Sequence, residues 1–266
     1  TLPWTDVLLS GWGIAGVGMG KISKSRGGGP MAPLAMIEKY SADAVRYWAA
    51  STGPGKDSVI SEEKIQMGAK LVTKLWNVAR FATRFIEEKR LEGEAASTPD
   101  NLSPADRWIL SRLQKLIRRV TELFRAYDYA TAKSEIETFF WTELADNYLE
   151  MAKQRLYDST CPTHKGACWT LQQLLFDVLK LFAPFLPYVT EAIYQDIRAK
   201  GLVFRRSIHK EIWPVVHSTF EDEDAEKTGK ELVEIATAVR RYKSENNLPL
   251  GTELPRVQLA LESDMS

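Results

Sequence analysis

Two lysines three residues apart, Lys21 and Lys24, stand in the stretch KISKS, which reads Lys21, Ile22, Ser23, Lys24, Ser25. Ammonium groups at that spacing, separated by small polar residues, suit a flexible clamp on a polyphosphate, because each point charge can follow charge that develops in phosphoryl or nucleotidyl transfer. The glycines around it let a backbone approach a nucleotide closely. Just upstream, Gly11, Gly13 and Gly16 spell G-x-G-x-x-G after TDVLLS, which reads as a short buried strand. A dinucleotide-binding fold needs a helix to open there and a crossover to a second strand. More glycine, KISKS and Pro30 follow instead. A dinucleotide-dependent oxidoreductase is therefore only a remote alternative. A Walker-type phosphate loop fits less well still, since Ile22 follows Lys21 and no glycine precedes Lys24. Cys161, His164 and Cys168 lie close together, but a structural zinc site takes four ligands and nothing nearby supplies the rest. They read as a loop with two free thiols, and no metal is expected.

A second kind of chemistry is suggested further on. Single-stranded nucleic acid is held by aromatic stacking, with Lys and Arg on phosphates. Lys70, Lys74, Asn77, Phe81 and Arg84 follow one another at spacings of four and three, one side of a helix, with Arg80 beside them. Phe81 also has a plain reading as core, and the cations one as a solvated face. Trp76 reads as core. Arg112, Lys115, Arg118 and Arg119 form another basic group, and Arg240, Arg241 and Lys243 a third; either has the charge to hold phosphates. Arg46 and Trp48 sit in RYWAAS.

The elements that must position these groups are mostly helical. With 266 residues, 44% hydrophobic and 26% charged, the chain can bury a sizeable core. Lys plus Arg and Asp plus Glu are both 35, so any RNA-binding face must come from local clustering. No apolar run is long enough to span a bilayer. The first residues have neither a signal-like block nor a starting Met, and read as cut from a longer protein. Two short helices are expected within 33–60, the second capped by Ser41 with Asp43 in its first turn. A long helix runs from Ser61 to about 90. Ser103, Pro104 and Asp106 open the next, whose stripe is Ile109, Leu113, Leu116, Val120 and Leu123. Others follow over about 130–157, 168–182, to 199, and to 245, with Trp213 docked on them. RVQLALES reads as a strand. The fold class is mainly α: a helix bundle over 61–222, preceded by a small unit over 1–60 that carries the KISKS loop, and followed over 223–266 by a helix and strand, a short α/β piece.

KISKS resembles the K-M-S-K-S signature of class I aminoacyl-tRNA synthetases, with Ile22 in place of Met. IEKYSADAVRYWAAS at 37–51 is similar to the helix that follows that loop in the valine, isoleucine and leucine enzymes, and KLWNVARF at 74–81 to the first helix of their anticodon domain. FFWTELADNYLEMAKQRLY, LKLFAPFLPYVTEAIYQ, SIHKEIWP and AVRRYKSENNLPLG most resemble valyl-tRNA synthetases. The likeness covers nearly the whole chain in the right order. It implies an anticodon-binding bundle behind a stem domain. It also implies that Lys24 stabilises the ATP phosphates during amino-acid activation, with Lys21, Ser23 and Ser25 in the same loop and the backbone of Ile22 near the adenine. Arg26 and Gly27 to Gly29 depart from the usual continuation of that loop. The implied parent uses ATP with Mg2+ to form valyl-adenylate and transfers valine to tRNA(Val) in the cytoplasm, with no DNA or membrane partner. Lys74 and Phe81 match positions near the anticodon, and Arg46 lies where the family faces the inner corner of the tRNA. None of His164, His209 and His217 fits the family's H-x-G-H motif, so this chain alone is expected not to activate valine. A fragment of an isoleucyl- or leucyl-tRNA synthetase is the nearest alternative, and a helical scaffold with no RNA role a more distant one.

Overall fold

The computed structural model describes residues 3–14, 32–86, 98–201, 203, 205–249 and 251–259. KISKS and Gly16 lie outside them. Near the start, the chain runs alongside residues 55–60: Gly55 N–H donates to the Leu9 carbonyl at 2.9 Å, Ser58 N–H to Trp12 at 2.8 Å and Ile60 N–H to Ile14 at 3.0 Å. Only β1 (Gly13–Ile14) and β2 (Ser58–Val59) form a strand pair, and it is parallel. The strand expected over 5–10 is not formed. No other strand flanks it among the described residues, so Val7, Leu8 and Leu9 stay exposed. Gly11 has a local reason unrelated to nucleotides, since a Cβ there would lie 2.1 Å from the Lys56 carbonyl oxygen.

Helices α1 (Pro33–Tyr40) and α2 (Ala42–Ala49) are divided by Ser41, which takes φ 106° and accepts the Ala44 N–H on its side chain. They bury Met36 and Ala44 against Ile65 of α3 (Glu62–Ala82). Close crossing is possible because Gly68 has no Cβ; one would lie 2.8 Å from the Tyr47 ring. Ser61 caps α3, with Glu62 and Glu63 favourably placed at the positive end of its dipole. The helix ends at Ala82, short of the expected 90. There Arg84 and Phe85 N–H turn to carbonyls three residues back, the tightening that closes a helix.

α4 (Pro104–Arg125) opens with the expected capping box between Ser103 and Asp106. Asp106 is fully buried and also accepts the Tyr148 hydroxyl at 2.8 Å and both ends of the Arg155 guanidinium at 2.8 and 2.9 Å. The helix expected over 130–157 is one continuous path with a change of pitch: α5 (Tyr129–Thr138), a π-helical stretch over Phe139–Tyr148, then α6 (Leu149–Tyr157). Wide turns leave carbonyls to satisfy. Asn147 donates its amide to the Thr142 carbonyl at 2.7 Å, and Arg240 donates to the Asp146 carbonyl at 2.6 Å and to the Asn147 side chain. α7 (His164–Phe182) and α8 (Pro187–Ala199) complete one core with Phe140, Tyr148, Leu174 and Tyr194. Trp213 docks as expected, its indole N–H 2.9 Å from Thr121 Oγ1.

α9 (Glu223–Glu245) lies on α4, and Gly229 lets it approach: a Cβ there would fall 2.0 Å from Trp108 Cγ. Of the expected strand RVQLALES, residues 256–259 are not in strand conformation, with Val257 and Leu259 exposed, and 260–263 lie outside the described residues.

Candidate nucleic-acid interface

The exposed face of α3 is built by its buried one. Ile65, Leu71, Leu75, Val78, Ala79 and Ala82 turn into the protein, and at about 100° per residue this leaves Lys70, Lys74, Asn77 and Phe81 on an arc of roughly 60°. Lys70, Asn77 and Arg80 are exposed on the helix, and Arg84 in the turn just beyond it. Among the described residues, none of Lys70, Arg80 and Arg84 has a carboxylate within 4.0 Å. These cations are thus open to an anionic partner.

Lys74 is different. Its Nζ is 3.5 Å from Asp146 Oδ1 and 5.1 Å from the centre of the Trp141 ring, and its side chain is 34% exposed. Both partners come from the π-helical stretch. Phe81 is partly buried and packs against the core; its ring lies 5.1 Å from Phe85 and 6.3 Å from Tyr157. It is thus packed on the core with part of its surface left accessible. Trp76 is 37% exposed, which corrects its reading as core: it falls on the solvent side of α3, about 120° from Lys70.

Arg46 belongs to a different set of contacts. It is exposed on α2 and donates to the Pro184 carbonyl at 2.9 Å. Beside it, the buried Asp43 carboxylate accepts the Tyr188 and Val189 N–H groups at 3.2 and 2.7 Å, and so caps the start of α8 from another helix. Burial pushes the Asp43 carboxyl above its ordinary range, against the pull of those two N–H groups. Tyr47 donates its hydroxyl to Glu137, and Lys133 Nζ lies 3.5 Å from the centre of the Tyr47 ring. Burial pushes the Lys133 ammonium down. These contacts bolt α2 to the bundle.

The second basic group is spent on the protein itself. Arg112 makes a bidentate pair with Glu143 at 2.8 and 2.9 Å, Lys115 reaches Glu226 at 2.8 Å, Arg118 pairs with Glu221, and Arg119 lies 3.2 Å from Glu135. They tie α4 to α5, α9 and the π-helical stretch. Arg240 serves that stretch, while Arg241 is exposed. His164 Nδ1 lies 2.8 Å from the Arg155 carbonyl, and its Nε2 3.7 Å from Cys168 Sγ. Among the described residues, no three His, Cys, Asp or Glu side chains gather as metal ligands would. No helix among them is long and apolar enough to cross a membrane.

Sequence reasoning missed the partners that cross the fold. Asp146 stands 72 residues from Lys74, and nothing in helical spacing pairs them. The contact of Tyr157 with Phe81 and Phe85 is of the same kind.

Residues 106–259 match the family described as the anticodon-binding domain of tRNA ligase. Among curated proteins, valine–tRNA ligase of Ehrlichia ruminantium (strain Welgevonden) is 36% identical over 99% of this chain and 31% of its own length. The valine–tRNA ligase of Thermococcus kodakarensis is 40% identical over 97% of this chain and 28% of its own length. That of Pyrococcus furiosus is 38% identical over the same shares. The chain thus spans less than a third of these relatives. Among solved structures, the LeuRS–tRNA–LeuAMS ternary complex of Agrobacterium radiobacter K84 superposes with TM-score 0.61 at 18% identity, over 80% of this chain and 24% of the other. Methionyl-tRNA synthetase of Mycobacterium tuberculosis bound by methionyl-adenylate gives 0.51 at 23%, over 73% and 40%. These two likenesses are of fold. The family match takes in the bundle from α4 onward, and α3 lies within the stretch shared with the valine–tRNA ligases. With its match over 106–259, more than half its length, this chain belongs to the family of anticodon-binding domains of tRNA ligases.

Proposed function

We propose that this chain is the anticodon-reading part of a valine–tRNA ligase, and that α3 carries the reading face. The observation that carries this is the open row of Lys70 and Arg80 on α3 and Arg84 in the turn just beyond it, beside Phe81, in a bundle whose family is named for anticodon binding. Unstacked loop bases offer both the flat faces that an aromatic ring takes and the phosphates that such cations take. Asn77, exposed within the same row, adds an amide able to meet a base edge. Lys74 joins once a phosphate competes with Asp146. Arg46 meets the tRNA elsewhere, from the stem side of α2.

The division of labour we propose keeps 1–60 as the end of the catalytic unit with its KISKS loop and stem contacts, 61–222 as the anticodon bundle, and 223–266 as a C-terminal extension. In the whole protein, Lys21 and Lys24 steady the ATP phosphates during formation of valyl-adenylate, with Ser23, Ser25 and the Ile22 backbone in the same loop. This role rests on the motif and on the relatives. Mg2+ would neutralise phosphate charge there, and no described residue is assigned to it. Valine is favoured over isoleucine or leucine because valine–tRNA ligases align along nearly the whole chain at 36–40% identity. The compartment that goes with this role is the cytoplasm. Lacking H-x-G-H, the chain alone would not exchange pyrophosphate in the presence of valine and ATP; detectable exchange would overturn that part.

Titration of tRNA(Val) transcripts with native and altered anticodons, at one stated salt concentration, tests the reading. Tighter binding of the valine anticodon, weakened by Arg84→Ala, supports it. Equal binding of all transcripts would remove it.

A further inference from the structure

Tyr157 is the last residue of α6 and is 63% exposed, a large fraction for an aromatic ring on a folded bundle. Its ring stands at 86° to Phe85 with centroids 5.2 Å apart, and at 71° to Phe81 at 6.3 Å. The two phenylalanines lean on one another at 60° and are anchored in the core. Edge-on contacts of this kind are favourable and hold a ring in one orientation. The backbone beneath is fixed as well: Leu156 is buried, and the Asp158 carboxylate accepts the Thr160 N–H and hydroxyl at 3.0 and 2.6 Å. Among the described residues, the Tyr157 hydroxyl has no hydrogen-bond partner. The ring is thus held edge-on by two phenylalanines while most of the residue stays exposed. Arg80, next to Phe81 near the end of α3, and Arg84, next to Phe85 in the turn beyond it, are exposed cations adjoining the two braces in sequence.

On the reading of α3 as the anticodon face, we propose that Tyr157 is a separate stacking platform for one unpaired base of the anticodon loop. Its orientation gives it a base of its own. A flat base cannot lie parallel both to Tyr157 and to either phenylalanine, because the rings are close to perpendicular. A nucleotide that stacks on Tyr157 is therefore a different one from any that rests on Phe81. A rigid aromatic face also binds at low entropic cost, since little side-chain freedom remains to be lost.

The test uses an anticodon stem-loop RNA with 2-aminopurine placed at each loop position in turn, titrated with the 266-residue chain and its variants. Stacking on a ring quenches this fluorophore. Wild type should quench it at one position that Tyr157→Phe preserves and Tyr157→Ala releases, with affinity falling roughly 5- to 100-fold in the alanine variant, the range for one base–aromatic stack. Tyr157→Leu keeps apolar packing on Phe81 and Phe85, so a merely structural role predicts that it behaves as wild type; the platform predicts that it behaves as Tyr157→Ala. If Arg84→Ala weakens binding while Tyr157→Ala and Tyr157→Leu leave affinity and quenching unchanged, the platform is wrong and the α3 reading stands. If wild type fails to bind the stem-loop, both are wrong.

Discussion

Replacing Asp106 by alanine should cost about 4 kcal/mol of folding stability. The carboxylate is fully buried and joins three elements: it caps α4 through Ser103, accepts the buried Tyr148 hydroxyl and pairs in two places with Arg155, whose side chain is only 15% exposed. Breaking a buried pair by removing one partner costs roughly 3–5 kcal/mol. A stranded buried hydroxyl costs about 1–3, and a lost cap about 1. These figures describe overlapping losses and do not add. Arg155 can also turn partly toward water, which limits the total. Much of the penalty should come from the guanidinium left without its anion. Asp106→Ala combined with Arg155→Met should therefore recover about 1–2 kcal/mol of the loss, a coupling that a double-mutant cycle isolates. Urea titrations followed by far-ultraviolet circular dichroism measure all four proteins. A loss below about 1 kcal/mol for Asp106→Ala, or a double mutant no better than the single, would refute the reasoning.

Gly229→Ala should destabilise by about 2 kcal/mol through overpacking against Trp108 and change the tryptophan fluorescence as α9 is pushed from α4; an unchanged stability and spectrum would show that α9 shifts freely. Glu226 should govern part of the acid sensitivity. Burial pushes its carboxyl up, but Lys115, Ser111 and Arg112 together hold it below its ordinary value of 4.5. A carboxyl lowered by folding gives stability that is present above the unfolded value and lost as pH falls through the folded one. Urea midpoints of wild type and Glu226→Gln should thus differ at neutral pH and converge as the pH falls below about 4.5. Asp146→Ala should free Lys74 and tighten stem-loop binding about threefold at low salt, the order expected from one partly exposed ion pair; weaker binding would mean that Asp146 itself serves the RNA.

The helices were legible where apolar spacing and caps agree. Ser41, Ser61 and Ser103 all cap as their side chains allow, and the stripe from Ile109 to Leu123 is buried. The change of pitch over 139–148 was not. Partners that satisfy its carbonyls, such as Arg240, stand more than ninety residues away, and local apolar spacing does not announce them. The strand expected over 5–10 and the described part of the second, 256–259, are not formed for a related reason: alternation marks a segment able to pair, but pairing needs a neighbour. Cations were the hardest to read. Arg112, Lys115, Arg118 and Arg119 had the density of a phosphate-binding cluster, yet each meets a carboxylate from another element. Lys70, Arg80 and Arg84 looked no different in sequence; what sets them apart is the absence of such a partner among the described residues, which only the fold decides.

The most direct test of α3 as the reading face is photocrosslinking. An anticodon stem-loop carrying 4-thiouridine in its loop would be bound to the chain, irradiated, and the attached peptide identified by mass spectrometry. Crosslinks within 70–85 and at Tyr157 are the result this account predicts. Crosslinks confined to α9, or to the second basic group on α4, would contradict it.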